Sequence, residues 1–151
     1  METIKGNKYG RVRKNTSDAQ NRKIDLAIEE IIEMYRHLSA DEITCRLTEL
    51  KKEWGIEKTL EVNASSLALT GLILGTFGSR KWYLMPLVVA SFLLQHGLQG
   101  WCPPLPLFRK LGIRTRQEID EEMYALKILR GDFDDVSSSS QPEVIISGLR
   151  K

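Results

Sequence analysis

The chain has 151 residues and carries 22 Lys and Arg against 20 Asp and Glu, a net charge of +2. That length suits one compact domain or a small membrane core with polar extensions, and so small a net charge argues against a nucleic-acid partner. Hydrophobic content (42%) and charged content (28%) are those of an ordinary soluble protein, but the charges avoid the middle of the chain.

Residues 1–16 are basic, polar and aperiodic, and read as a disordered tail. No apolar stretch follows Met1–Asn15, so no secretory signal peptide is expected. Residues 17–55 read as a helical arm. Ser17 or Asp18 caps a first amphipathic helix whose apolar stripe is Ile24, Ala27, Ile28, Ile31, Tyr35 and Leu38, at spacings of three and four. Ser39-Ala40-Asp41-Glu42 has the form of a capping box, in which hydroxyl and carboxylate each satisfy an amide of the first turn. The helix it opens puts Ile43, Leu47, Leu50 and Trp54 on one face, and Gly55 is a natural stop. These two helices can pair with each other or dock on their copies in a dimer, or the second can lie along a membrane surface with Trp54 at headgroup level.

Residues 56–114 hold the strongest signal. Val62 to Ser79 is 18 residues without a charge, and Trp82 to Phe108 is 27 more, with only Arg80 and Lys81 between them. An 18-residue helix is about 27 Å long, close to the roughly 30 Å hydrocarbon core of a bilayer. The pattern predicts two transmembrane helices in a hairpin, the first entered through residues 56–61 and the second running from Trp82 to about Gly100. Trp82 and Tyr83 at one end and Trp101 at the other suit the membrane–water interface. Cys102-Pro103-Pro104-Leu105-Pro106 then takes the chain out of the bilayer.

Thr115-Arg116-Gln117-Glu118 is a second capping-box pattern. It should open an amphipathic helix over 115–131 with Ile119, Met123, Leu126 and Leu129 or Arg130 on one side, ended by Gly131. Residues 132–151, with Asp134-Asp135 and the serines 137–140, read as a second disordered tail. The fold class expected is therefore all-α: a two-helix transmembrane hairpin with amphipathic cytoplasmic helices before and after it. Charge sets the orientation. Arg46, Lys51, Lys52 and Lys58 precede the spans, Arg109, Lys110, Arg114 and Arg116 follow them, and the turn holds only Arg80 and Lys81, which places both termini in the cytoplasm. The basic clusters beside the spans suit anionic headgroups.

Gly71 and Gly75 form a GxxxG motif, which Ala64, Ala68 and Gly78 extend into a stripe of small residues. Such a stripe lets backbones approach in lipid, either between two copies in a homodimer or within the hairpin. His96, flanked by Gln95 and Gln99, is a polar group low in the second span. With Cys102 it offers two ligands for a soft metal such as copper or zinc; hydrogen bonding across helices is the plainer role. Cys102 is also a candidate reactive thiol if Arg109 or Lys110 lowers its pKa. Cys45 reads as an inert small hydrophobe. No phosphate loop, catalytic triad or zinc-hydrolase motif appears, so neither a cofactor nor an enzymatic activity is expected.

Residues 57–114 resemble the YgaP-like transmembrane domain, a bacterial family of unknown function. The matching features are Glu57-Lys58-Thr59-Leu60, Thr70-Gly71, Trp82, and above all Gly100-Trp101-Cys102-Pro103 followed by Leu107 and Leu111-Gly112-Ile113-Arg114-Thr115. The resemblance implies a dimer of two-span hairpins in the bacterial inner membrane. Some family members also carry a rhodanese sulfurtransferase domain; this chain has no room for one, so sulfur transfer does not carry over. The expected protein is a self-associating membrane module whose arms contact an unknown protein partner. Two other readings remain open: a membrane thiol or metal protein using Cys102 and His96, and a soluble helical adaptor whose hairpin is buried in a larger assembly.

Overall fold

The structure, a computed structural model, describes residues 10–137 and 141–150. Among them the regular elements are all helical: α1 (Arg11–Lys14), α2 (Asp18–Tyr35), α3 (Ala40–Lys52), α4 (Ile56–Phe77), a 3-10 turn (Arg80–Tyr83), α5 (Leu84–Gln99), α6 (Leu105–Lys110), α7 (Arg116–Arg130) and α8 (Pro142–Arg150). The chain divides into two units, one of residues up to Ile24 with Trp54–Arg116, the other of Asp25–Glu53 with Gln117–Lys151.

In the first unit α4 and α5 run antiparallel along each other from the 3-10 turn. α4 begins at Ile56, so residues expected to lead into the apolar run are its first turns. Gly55, expected as a left-handed stop, has an extended backbone (φ −69°) and precedes α4. Its missing side chain matters for another reason: a Cβ there would stand 3.2 Å from the Arg116 amide nitrogen. That amide donates to the Glu57 carboxylate at 3.0 Å, and the Ile56 amide donates to the Arg114 carbonyl at 2.8 Å. α5 is shorter than the span expected from Trp82 to Gly100. Trp82 and Tyr83 lie in the 3-10 turn, Pro86 follows in the first turn of α5, and Gly100 ends the helix in the left-handed conformation at φ 73°. Among the described residues one helical stretch, within Ala40–Phe77, is long and apolar enough to cross a membrane.

The open end of the α4–α5 pair is closed by α1, the first turns of α2, and α6. Val12, Ile56, Leu60, Cys102 and Leu105 form a buried cluster there, with Phe108 and Ile113 packed on it. The expectation of a disordered tail over 1–16 is corrected for residues 10–16; residues 1–9 lie outside the described ones. Val12 finds an apolar pocket, and Arg11 and Asn15 find helix-end carbonyls that need donors. Arg109 is almost fully buried and donates to the Asn21 side-chain oxygen at 3.0 Å. The proline-rich exit does not stay irregular: α6 starts inside it, with a proline in its first turn, where a missing amide costs little.

In the second unit Ile43, Leu47 and Leu50 of α3 pack against Ile119, Met123 and Leu126 of α7, with Tyr35 and Leu129 at the edge. Fully burying a side chain such as Leu50 or Leu126 stabilises the unit by about 1.5–3 kcal/mol. α3 therefore finds its partner in α7, a pairing absent from the expected alternatives. Trp54, expected on the apolar face of this helix, lies beyond its end and is half exposed. In α2, Ile24 and Ile28 are buried, while Ala27 and Leu38 are exposed. Ser39 and Glu42 form the capping box as expected, and Gly131, at φ 83°, follows the end of α7.

The second expected tail, 132–151, is corrected at 142–150, where α8 forms; residues 138–140 and 151 lie outside the described ones. Pro142 opens α8, and Gly148 sits against Val136 and Phe133, where a Cβ would meet the Val136 side chain at 3.2 Å. The Lys127 ammonium donates to the Leu149 carbonyl at 2.5 Å.

Candidate functional site

The α4–α5 pair is close at its turn and apart at its open end, and small residues set the difference. A Cβ on Gly71 would come within 2.6 Å of the Pro86 ring, and one on Gly75 within 2.9 Å of the Tyr83 ring. These two glycines take up close packing within the chain. Thr76 and Tyr83 add a hydroxyl–hydroxyl bond of 3.1 Å. Gly78 lies off this seam, at the end of α4, where a Cβ would press on the Leu74 carbonyl. Ala64 and Ala68 are half-buried.

Toward the open end a groove of about 360 Å³ separates the helices. Leu60, Ala64, Leu67, Phe92, His96 and Cys102 are among its lining residues. The structure thus brings His96 and Cys102 to one cavity. His96 Nδ1 is buried and has no hydrogen-bond partner among the described residues. The Cys102 side chain is buried, and burial pushes its thiol pKa up, against a smaller opposing effect of the Leu105 backbone. Arg109, one of the two bases that could lower that pKa on approach, turns its guanidinium to Asn21 and to the Ile113 carbonyl, 3.3 Å away. Among the described residues no group of three or more His, Cys, Asp or Glu is placed to hold a metal ion.

The outer faces of α4 and α5 are apolar and uncovered. In the apolar 18-residue window within Ala40–Phe77, 17% is buried. Leu69, Ile73, Leu84, Leu87 and Leu98 are each more than half exposed, and Phe77 is 87% exposed. A contiguous apolar patch beyond a few hundred Å² marks a surface made for lipid or protein. Aromatic residues mark both ends of it. Trp54 precedes α4 and Trp101 follows α5, so the antiparallel pairing brings them to the same end; Trp82 and Tyr83 stand at the turn. Lys58 Nζ lies 4.5 Å from the centroid of the Trp54 ring.

One feature of this end was not legible in the sequence. The Arg11 guanidinium donates to the carbonyls of Gly97 (2.6 Å) and Leu98 (3.3 Å), and the Asn15 amide donates to Gln99 at 2.9 Å. Helix α5 is thus capped by a segment more than 80 residues earlier. The only trace of this in the sequence is a basic run, which serves equally as a solvated tail.

Comparisons of the chain with protein-family models, with curated proteins and with solved structures gave no match.

Proposed function

We propose that this chain is a small integral membrane protein of the bacterial inner membrane, with both termini cytoplasmic, that self-associates and presents its second helical unit to a protein partner. One observation carries the reading: an apolar surface left uncovered along α4 and α5 and bracketed by aromatic residues at both ends. α4 has 22 residues and is about 33 Å long, enough for the hydrocarbon core. α5 with its 3-10 turn runs from Arg80 to Gln99 and reaches about 32 Å. Leaving so much apolar surface exposed to water would be costly, whereas lipid covers it without a further partner. The resemblance to the YgaP-like domain agrees with this reading and supplies the bacterial inner membrane.

Self-association then uses the outward faces of α4 and α5, because Gly71 and Gly75 are occupied within the chain. The experiment is alkaline carbonate extraction of membranes from expressing cells, followed by crosslinking in mild detergent. Retention in the pellet and a crosslinked dimer are expected. Release into the supernatant as a monodisperse species without detergent would instead establish the soluble adaptor.

A further inference from the structure

The charges omitted from the apolar core are sorted between the two units. The segments of the first unit carry fourteen Lys and Arg against four Asp and Glu, a net +10; those of the second carry eight against sixteen, a net −8. In the first unit, Lys14, Arg22, Lys23 and Lys110 are exposed. They lie on α1, the first turns of α2, and α6, the three elements that close the open end of the α4–α5 pair. The groove lies toward that same end, with Leu60, Leu67 and Phe92 in its wall. His96, with its unpartnered Nδ1, stands one helical turn before Gly100, about 6 Å along the axis.

We infer that this end binds one anionic glycerophospholipid, with an acyl chain in the groove and its phosphate among the surrounding Lys and Arg side chains. The inference rests on the membrane reading above. A groove with apolar walls accepts an alkyl chain, and a hydrogen-bonding nitrogen one turn inside the interface meets the depth of a glycerol ester carbonyl. The basic surface selects a negative headgroup, since each Lys or Arg at a membrane surface strengthens its attraction to anionic lipid. A soluble anion would satisfy the charges and leave the groove empty; a neutral lipid would fill the groove and leave the charges unpaired.

The test reconstitutes the full chain in phosphatidylcholine vesicles with a trace of spin-labelled phosphatidylglycerol or spin-labelled phosphatidylcholine. The signal is the motionally restricted lipid fraction. The wild type should favour phosphatidylglycerol over phosphatidylcholine by at least about fivefold, the effect of a single well-placed base. The variant with Lys14, Arg22, Lys23 and Lys110 all changed to Gln should lose that preference, as should the wild type in molar salt. Ala64→Phe, which narrows the groove, should reduce the restricted fraction while the protein keeps its helix content. Equal restriction of the two lipids by the wild type, or an Ala64→Phe variant that restricts phosphatidylglycerol undiminished, overturns the inference. Carbonate extraction of the same vesicles separates the two claims: release of the protein overturns the membrane reading and this inference together, while retention with equal restriction overturns this inference alone.

Discussion

Arg11 and Gly97 are 86 residues apart in sequence, yet the Arg11 guanidinium donates to the Gly97 carbonyl at 2.6 Å. The last carbonyls of a helix have no partner inside it and carry the negative end of its dipole. A guanidinium supplies both the donors and the charge. Asn15 repeats the device one turn later, at the Gln99 carbonyl. Arg11→Ala should therefore destabilise the first unit by about 1 kcal/mol, read as a lower unfolding midpoint in detergent. Gly100→Ala should cost more, because it adds a left-handed alanine to a collision with the Arg11 backbone. A Gly100→Ala variant as stable as the wild type would show that α1 does not seat there.

The glycines of α4 give a second expectation, distinct from a simple dimer motif. Gly71→Ala forces a methyl toward the Pro86 ring, and Gly75→Ala toward the Tyr83 ring. Overpacking of this kind costs about 1–3 kcal/mol. Each substitution should loosen the α4–α5 pair within one chain, detectable as lower resistance to unfolding by dodecyl sulfate at a protein dilution where copies are separate. Ala68→Gly, in contrast, creates no clash and should lower that resistance by less, about 0.5–1 kcal/mol of helix propensity. If Gly71→Ala altered crosslinking between copies and left intrachain stability untouched, the seam would lie between chains.

How far the sequence revealed this fold depends on how local each cause is. The capping box at Ser39 and the left-handed glycine at 131 are decided within a few residues, and both are where the pattern placed them. The helix faces of α3 and α7 were legible for the same reason, since a stripe at spacings of three and four declares itself. Their pairing was not, because any two such stripes fit. α1 and α8 escaped because each is held by groups far along the chain: α1 by the carbonyls of α5, α8 by Lys127 and the pocket around Gly148. The candidate site shows the same division. The small-residue stripe was visible, whereas the groove depends on where the two helices part. Cys102 reads as exposed beside prolines, and only the packing of Val12, Ile56 and Leu105 buries it.

The two cysteines should differ sharply in reactivity. Cys45 is exposed and Cys102 buried. Burial also raises the Cys102 pKa, so less of its thiol is ionised at neutral pH, and the thiolate is the reactive form. A maleimide pulse in mild detergent, with the labelled peptide identified by mass spectrometry, should mark Cys45 first. Cys102 should react at a comparable rate only after denaturation. Preferential labelling of native Cys102 would restore the reactive-thiol reading.

Arg46 and Glu122 form a cross-helix ion pair of the second unit, at 2.9 Å, with the Glu122 side chain fully buried. Removing the cation takes one partner from a fully buried carboxylate, at a cost of up to about 3 kcal/mol. Arg46→Ala should therefore lower the urea midpoint strongly, and adding Glu122→Gln should recover part of the loss. Glu49, which also meets Arg46 but from an exposed position at 3.2 Å, should be replaceable by alanine with a change below about 1 kcal/mol. If the two single changes, Arg46→Ala and Glu49→Ala, had equal effects, burial of Glu122 would not be what matters.

Lys127 makes the stability of the second unit depend on pH in a fixed direction. Burial lowers its pKa below the ordinary value of 10.5, Asp132 opposes that lowering, and Lys51 and Arg130 add to it. A lysine with a depressed pKa in the folded state binds its proton more tightly when unfolded. The cost of burying the charge is therefore present in full at neutral pH. It is relieved as pH rises through the interval from the lowered folded value to 10.5. Lys127→Met removes the charge and this titration, and also the bond that holds the Leu149 carbonyl of α8. Two readouts should separate. Amide exchange in α8 should quicken in the variant at every pH. The wild type should gain stability on the variant as pH rises toward 10.5 in chemical denaturation, because only the wild type relieves a desolvation cost there. A stability difference that stayed flat over that range would mean that the ammonium is already well solvated in the fold, and α8 would then be held by Gly148 and its apolar neighbours alone.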